Sequence, residues 1–218
     1  MSGLSGSCAR AAIGIVLLAR QALRDAATRA GRDPDEVKML AGFMPTIAPS
    51  RQAALHRRRF LDEVVDLHQR VHYLGAMIGL PLGPDQLDEP LTADQLADAQ
   101  PSPHDPRSAR ALEVAGKGWT LRDVLAHGVI DYHPVVAGTA TDVADHMQQW
   151  FEAGACDGFS IVVDSYHDGF DAFVDQVVPI LQERSLFHDD YQGPTLRENL
   201  GAHQQYGLDP RLTKSARS

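Results

Sequence analysis

Apolar positions recur with a helical period over much of the chain, and the pattern is clearest across residues 137–163. Val143, Met147, Trp150 and Phe151 follow the i, i+4, i+7, i+8 spacing of one buried helical face. Asp142, Asp145, Gln148, Gln149 and Glu152 occupy the other faces. Thr139, with Asp142 three residues later, forms a capping box at the start, and Gly154 can adopt the left-handed conformation that ends a helix. After a turn at 155–158, FSIVV at 159–163 is a short β-branched run suited to a strand buried on both faces. Phe170, Phe173, Val174, Val177, Val178 and Leu181 then restore the helical period. Pro179 is expected to kink or thin the last turn, having no N–H to give to the residue four back. Helix, buried strand, helix is the unit of an α/β fold with parallel strands.

Upstream, residues 13–30 predict a helix through Val16, Leu17, Arg20, Leu23 and Ala27, with strand left open at IGIVLL and a stop at Gly31. Asp33-Pro34 supplies a turn into the apolar run 37–47, a second strand. Gly42 and Pro45 inside it suggest a strand end or a bulge near a site, not the middle of a sheet. A long excursion follows, from 48 to about 136. Residues 51–80 are helical in pattern, with Leu55, Leu61, Val64, Val65, Leu67, Val71 and Leu74 as the apolar face. Residues 81–106 carry six prolines and predict loops around one short helix near 91–99. TLRDVLAHG, opened by Thr120 with Asp123, predicts a capped helix leading into VIDYHPVV. No internal repeat and no second domain are visible.

Composition narrows the function classes. The 218 residues are 44% hydrophobic and 22% charged, enough for one domain with a core, and the formal charge of −9 argues against a nucleic-acid surface. The basic cluster ALHRRRF at 54–60 reads as a solvated helix face. Cys8 and Cys156 have no CxxC partner, so a reducing cytoplasm is the default, with Cys156 a small buried apolar residue. No apolar run approaches the roughly 20 residues that cross a bilayer. The start MSGLSGSCARAAIGIVLLAR lacks a basic region before its apolar part, which suggests a ragged or non-native beginning instead of a signal peptide. His68 and His72 are spaced i, i+4, but without an H-E-x-x-H arrangement they read as a helix-surface pair, not metal ligands. No G-x-S-x-G, Walker or dinucleotide glycine motif is present, and AGKG at 115–118 is too short for a phosphate cradle.

Three spaced motifs carry a resemblance. AGTATDVAD at 137–145, WFEAGACDGF at 150–159 and LFHDDYQGPTLRENLG at 186–201 match a V-G-T-P-E-x-V-A-D helix start, a W-F-E-A-G-A-x-D-G-F turn and an L-F-x-x-x-Y-x-G-x-T-L-R-E-x-L-G tail. These resemble the carboxyl-terminal part of flavin-dependent monooxygenases of the bacterial-luciferase superfamily, in the branch with nitrilotriacetate, dibenzothiophene-sulfone and long-chain alkane monooxygenases. Ala140 stands where the family has proline. ATRAGRDPDEVKML at 27–40 is similar to the family's passage into a barrel strand.

The resemblance implies an α/β chain forming part of a (β/α)8 TIM-barrel, with a long, mostly helical insertion at about 49–136 inside a domain spanning 1–201 and a polar tail at 202–218. Only about two strands are legible where such a barrel has eight, so a truncated or split member is expected, exposing sheet edges that invite pairing with another chain. The implied chemistry is oxygenation of a small organic substrate, using dioxygen and reduced FMN from a separate flavin reductase. The alternative is a non-catalytic fragment or half-barrel subunit that needs a partner chain carrying the first half, or a homo-oligomer.

The site is expected at the carboxyl ends of the strands: Met44, Pro45 and Thr46; the approach HPVVAGT; and Asp164, Ser165, Tyr166 and His167. His133 resembles a histidine that the family places near the flavin's reactive edge, where imidazole can hydrogen-bond or shuttle a proton. Its plain alternative is a loop histidine bonded to a backbone carbonyl. Gly138 and Thr139 open a helix whose free N–H groups can meet an anion, or are simply capped. Family members hold the FMN phosphate mostly with residues of the other half, which sets independent flavin binding in question.

Overall fold

The computed structural model describes residues 6–200, with side chains from Ile13 onward. The Cys8 side chain, Gly201 and the tail at 202–218 lie outside the described residues. In chain order the elements are α1 (Gly6–Arg29), β1 (Leu40–Ile47), α2 (Arg51–Glu63), α3 (Leu67–Ile78), α4 (Ala93–Asp98), α5 (Arg107–Ala115), α6 (Leu121–Ala126), β2 (Val135–Gly138), α7 (Ala140–Glu152), β3 (Gly158–Ile161), α8 (Gly169–Ala172), α9 (Val178–Glu183) and α10 (Leu196–Asn199). Among the described residues no helix is long and apolar enough to cross a membrane.

The three strands form a parallel sheet in the order β2-β1-β3. Each neighbour covers half of β1: Met44–Ile47 pairs with β2 and Leu40–Phe43 with β3. On one flank the N–H groups of Met44 and Ala48 donate to Pro134 and Gly138 carbonyls at 2.8 and 3.0 Å. On the other, the Met39 and Phe43 carbonyls accept from Asp157 and Val162 at 2.8 and 3.0 Å. Gly42 and Pro45 therefore lie inside a regular strand and not at its end or at a bulge. Pro45 belongs to the odd-numbered set facing the β3 flank, where pairing stops at Phe43–Ile161, so its missing N–H costs no ladder bond. β2 has no counterpart in the sequence reading, since four residues behind a proline are too few to show a period.

Alternation along β1 sets the two faces. Phe43 turns towards a helix layer, packing with Val143 and Ala144 of α7 and with Phe173, Val177 and Leu181 beyond β3. Leu40, Gly42, Met44 and Thr46 occupy the opposite face. The α7 box forms as predicted, Thr139 Oγ1 accepting from the Asp142 N–H at 3.2 Å and the Asp142 carboxylate accepting from the Thr139 N–H at 2.8 Å. Gly154 closes the helix at φ +69°. Ahead of Pro179 the chain winds as a π turn over Phe173–Val177, and the Val178 N–H reaches back to Phe173. This wide turn absorbs the donor that proline lacks.

Between β1 and β2 the helices α2 to α6 build their own core around Val71, Leu74, Ile78, Leu121, Val124 and Leu125. The predicted helix at 51–80 is two helices, broken where Asp66 caps α3 through the Gln69 N–H at 3.1 Å. Val64 and Val65 at the break are exposed. The buried side of α2 is polar, presenting Arg58 and Asp62. ALHRRRF is thus not a solvated face: Arg57 pairs with Asp164 and Asp168, Arg58 with Asp131, and Arg59 with Asp123.

Candidate functional site

His133 comes just before β2, and its ring lies against Gly42 of β1. A Cβ built on Gly42 would stand 2.5 Å from His133 Nδ1 and 2.6 Å from Cε1. Only glycine leaves room for the imidazole there. The Tyr132 ring meets it edge-on, with centroids 4.9 Å apart. Among the described residues neither ring nitrogen has a hydrogen-bond partner, unlike His72 and His127, whose Nδ1 atoms sit 2.8 and 2.7 Å from the Leu82 and Asp123 carbonyls. His133 is therefore not a loop histidine tied to a carbonyl. Gly42 places it on the sheet face opposite the helix layer, together with Leu40, Met44, Thr46 and Ser160. Thr46 is fully buried with an unpartnered hydroxyl oxygen, whereas Ser160 is exposed.

The loop that carries His133 is held by arginines from three helices. Arg58 of α2 and Arg70 of α3 take separate oxygens of Asp131. Arg107 of α5 donates to the Ile130 and Asp131 carbonyls at 2.8 and 3.3 Å. Arg58 also places Nη1 3.3 Å from Met44 Sδ on β1. Asp62 beside this group is buried with one oxygen unpartnered, and burial pushes its carboxyl pKa up.

A second clamp joins α2 to the exit of β3. Arg57 bonds both oxygens of Asp164, at 2.8 and 3.1 Å, and both of Asp168, each at 2.7 Å. The Asp164 side chain is 1% exposed. Hydrogen bonds from Arg57 and Ser165 hold the Asp168 carboxyl well below its usual range. Asp164 and Ser165 thus serve the loop itself, while Tyr166 and His167 are exposed.

At the exit of β2, the Asp142 carboxylate lies over Gly138, where a Cβ would meet Oδ2 at 2.6 Å. It also accepts from the Thr139 hydroxyl at 2.8 Å. The start of α7 is therefore already faced by a negative charge, which opposes an anionic ligand. Among the described residues no group of three or more His, Cys, Asp or Glu could hold a metal ion. Cys156 is buried, and burial pushes its thiol pKa up, which disfavours the nucleophilic thiolate.

Sequence reasoning missed His146. On α7 its ring packs between Phe43 and Trp150, with centroids 5.3 and 5.4 Å away. Burial holds its pKa down at about 4. The sequence signal was present: position 146 falls between Val143 and Trp150 on the apolar face. Gly42 and the arginine clamps left only weaker signals, a glycine inside a strand and a run of three cations.

No family model matches the chain. N-acetyl-S-(2-succino)cysteine monooxygenase of Bacillus subtilis (strain 168) is 36% identical over 189 residues, which are 83% of this chain and 41% of that protein. Dibenzothiophene-sulfone monooxygenase of Rhodococcus erythropolis is 35% identical over 185 residues, 83% of this chain and 40% of that protein. A crystal structure of riboflavin lyase with modified FMN and substrate riboflavin aligns with a TM-score of 0.54 and 30% identity, over 86% of this chain and 40% of that one. The chain spans about 40% of the length of the curated relatives it matches. Sequence and fold agree in making the chain a homologue of the luciferase-like monooxygenases, corresponding to their carboxyl-terminal part.

Proposed function

We propose that this chain forms the His133-bearing wall of the active centre in a flavin-dependent monooxygenase, within part of a (β/α)8 barrel. The reaction takes dioxygen and reduced FMN from a separate flavin reductase and oxygenates a small organic substrate. The supporting observation is the His133 imidazole, seated on Gly42 with no partner for its ring nitrogens among the described residues, on the face that would line the barrel. The monooxygenase activities for which the relatives are named support oxygenation, and the riboflavin lyase structure supports a flavin.

The residues present fit such a group. Gly42 and Ser160 leave the face low enough for a flat ring against the His133 imidazole, a space that a Cβ on Gly42 would fill. His133 would hold the flavin's polar edge, and Gly138 and Thr139 would border it at the exit of β2, through van der Waals contact instead of charge. FMN, when bound, supplies the oxygen-activating chemistry. An imidazole at this position can donate a hydrogen bond and hold or pass a proton at Nε2. Met44, half-buried on the same face, limits the access of water there.

A second reading, a non-catalytic fragment or half-barrel subunit that acts only with a partner, draws on the flanks of β1 and β3 that pair with no strand among the described residues and on the exposed Leu40, Ile15 and Leu18. Anaerobic titration with reduced FMN separates the readings. The test uses this chain alone and then mixed with the amino-terminal barrel portion of a relative. Saturable binding by the chain alone that His133→Gln weakens supports the first reading, whereas binding seen only in the mixed arm supports the half-barrel subunit. No binding in either arm defeats the first reading and leaves the fragment.

A further inference from the structure

Resting on the reading of His133 as a site residue, we propose that Asp131 is its positioning residue, fixed by three arginines so that the imidazole stays against Gly42. The two oxygens of Asp131 are taken by different helices, Oδ2 by Arg58 of α2 and Oδ1 by Arg70 of α3 at 3.2 Å. Arg107 of α5 holds the Ile130 and Asp131 carbonyls. Arg107 is itself aimed, by Asp105 through 2.9 and 2.7 Å bonds and by the Tyr73 hydroxyl at 2.6 Å. Gly128, at φ +69°, starts the loop, and the Asp131 N–H returns to the Gly128 carbonyl at 3.2 Å. Two residues past Asp131 comes His133, and one further on the Pro134 carbonyl accepts from Met44 at 2.8 Å.

The same Arg58 that grips Asp131 touches Met44 Sδ, two residues from Gly42 on the same face of β1. One guanidinium therefore sets the spacing between the floor under the imidazole and the loop that carries it. Asp131 and Arg58 are 12% and 6% exposed, so this pair is little screened by water. An aspartate pinned at both oxygens and through its backbone has one arrangement. Losing any arginine releases the loop towards solvent, where Tyr132 already points.

The test reads the ring carbon–proton signals of the histidines in the full chain, with His133 assigned through His133→Gln. Asp131→Asn removes the charge that Arg58 and Arg70 share. Arg107→Gln, at a partly exposed position, loosens the backbone grip without stranding a buried charge, and decides the outcome if Asp131→Asn fails to fold. In the folded variants the His133 signal is expected to lose the displacement caused by the Tyr132 ring and to move towards that of exposed His56. His127 and His72, tied to their own carbonyls, are expected to stay in place. A His133 signal unmoved in folded variants, or all three moving together, overturns the positioning role. Flavin titration of His133→Gln is a separate reading: unchanged binding there sinks the site assignment while a shifted His133 signal in Asp131→Asn leaves the positioning intact.

Discussion

The tightest constraint on the site is a missing atom. Gly42 lacks the Cβ that would enter the His133 ring, so Gly42→Ala must push the imidazole away or bend β1. Overpacking of this kind costs about 1–3 kcal/mol, to be measured by urea unfolding. The same variant is expected to match His133→Gln in lost flavin affinity. His146 makes a different prediction. Its pKa, about 4 in the fold against 6.5 ordinarily, means that the unfolded chain binds the extra proton first as pH falls. Stability is full above about pH 6.5 and falls towards pH 4, by up to about 3 kcal/mol from this group. His146→Phe should flatten that slope in unfolding curves taken across the range. Asp62 works in the opposite sense, since a carboxyl pushed up by burial takes its proton in the fold first and regains stability on acidification.

Elements were legible where local chemistry decides them. The box at Thr139 and Asp142, the stop at Gly154 and the cap at Thr120 are contained within a few residues, and each predicted end stands close to the observed one. Thr139→Ala should lower the stability of α7 and with it the protein by roughly 1 kcal/mol, read from the denaturation midpoint. What the pattern could not reveal depends on partners distant in sequence. Pro45 is harmless because β3 ends where it does, β2 is a strand because β1 lies beside it, and α2 buries arginine because Asp131 waits about 70 residues on. His133 and Gly42 each drew notice in the sequence, but their contact, and the Asp131 carboxylate that ties the loop to α2 and α3, could not be read there. The Arg57 clamp has the same long reach. Arg57→Ala would strand the buried Asp164 carboxylate, a loss of about 3–5 kcal/mol by analogy with other broken buried pairs. Arg57→Lys should restore only part of it, since a point charge cannot bond both aspartates in the fork geometry.

At the scale of the whole molecule, the sheet has one covered face and one that is bare at its Leu40 end, Thr46 at the other end being fully buried. Phe43 and its neighbours are sealed by α7 and the helices after β3, while Leu40, on the opposite face, is 61% exposed. Among the described residues β1 is paired on each flank over only half its length, and β3 on one flank alone. On α1, Ile15 and Leu18 turn outward at 66% and 75% exposure. Apolar side chains beside unpaired strand groups favour association with whatever offers a matching strand. The purified chain is therefore expected to bind a hydrophobic dye and to sediment faster as its concentration rises. Leu40→Lys combined with Leu18→Lys should reduce both effects while leaving the helical circular dichroism unchanged, because neither side chain belongs to a core cluster. Adding the amino-terminal barrel portion of a relative should suppress the dye signal of the unmodified chain and leave that of the double variant little changed. A chain that stays monomeric and dark to the dye across the concentration series would mean that the bare face is satisfied within this polypeptide, and the half-barrel reading would have no surface left to act through.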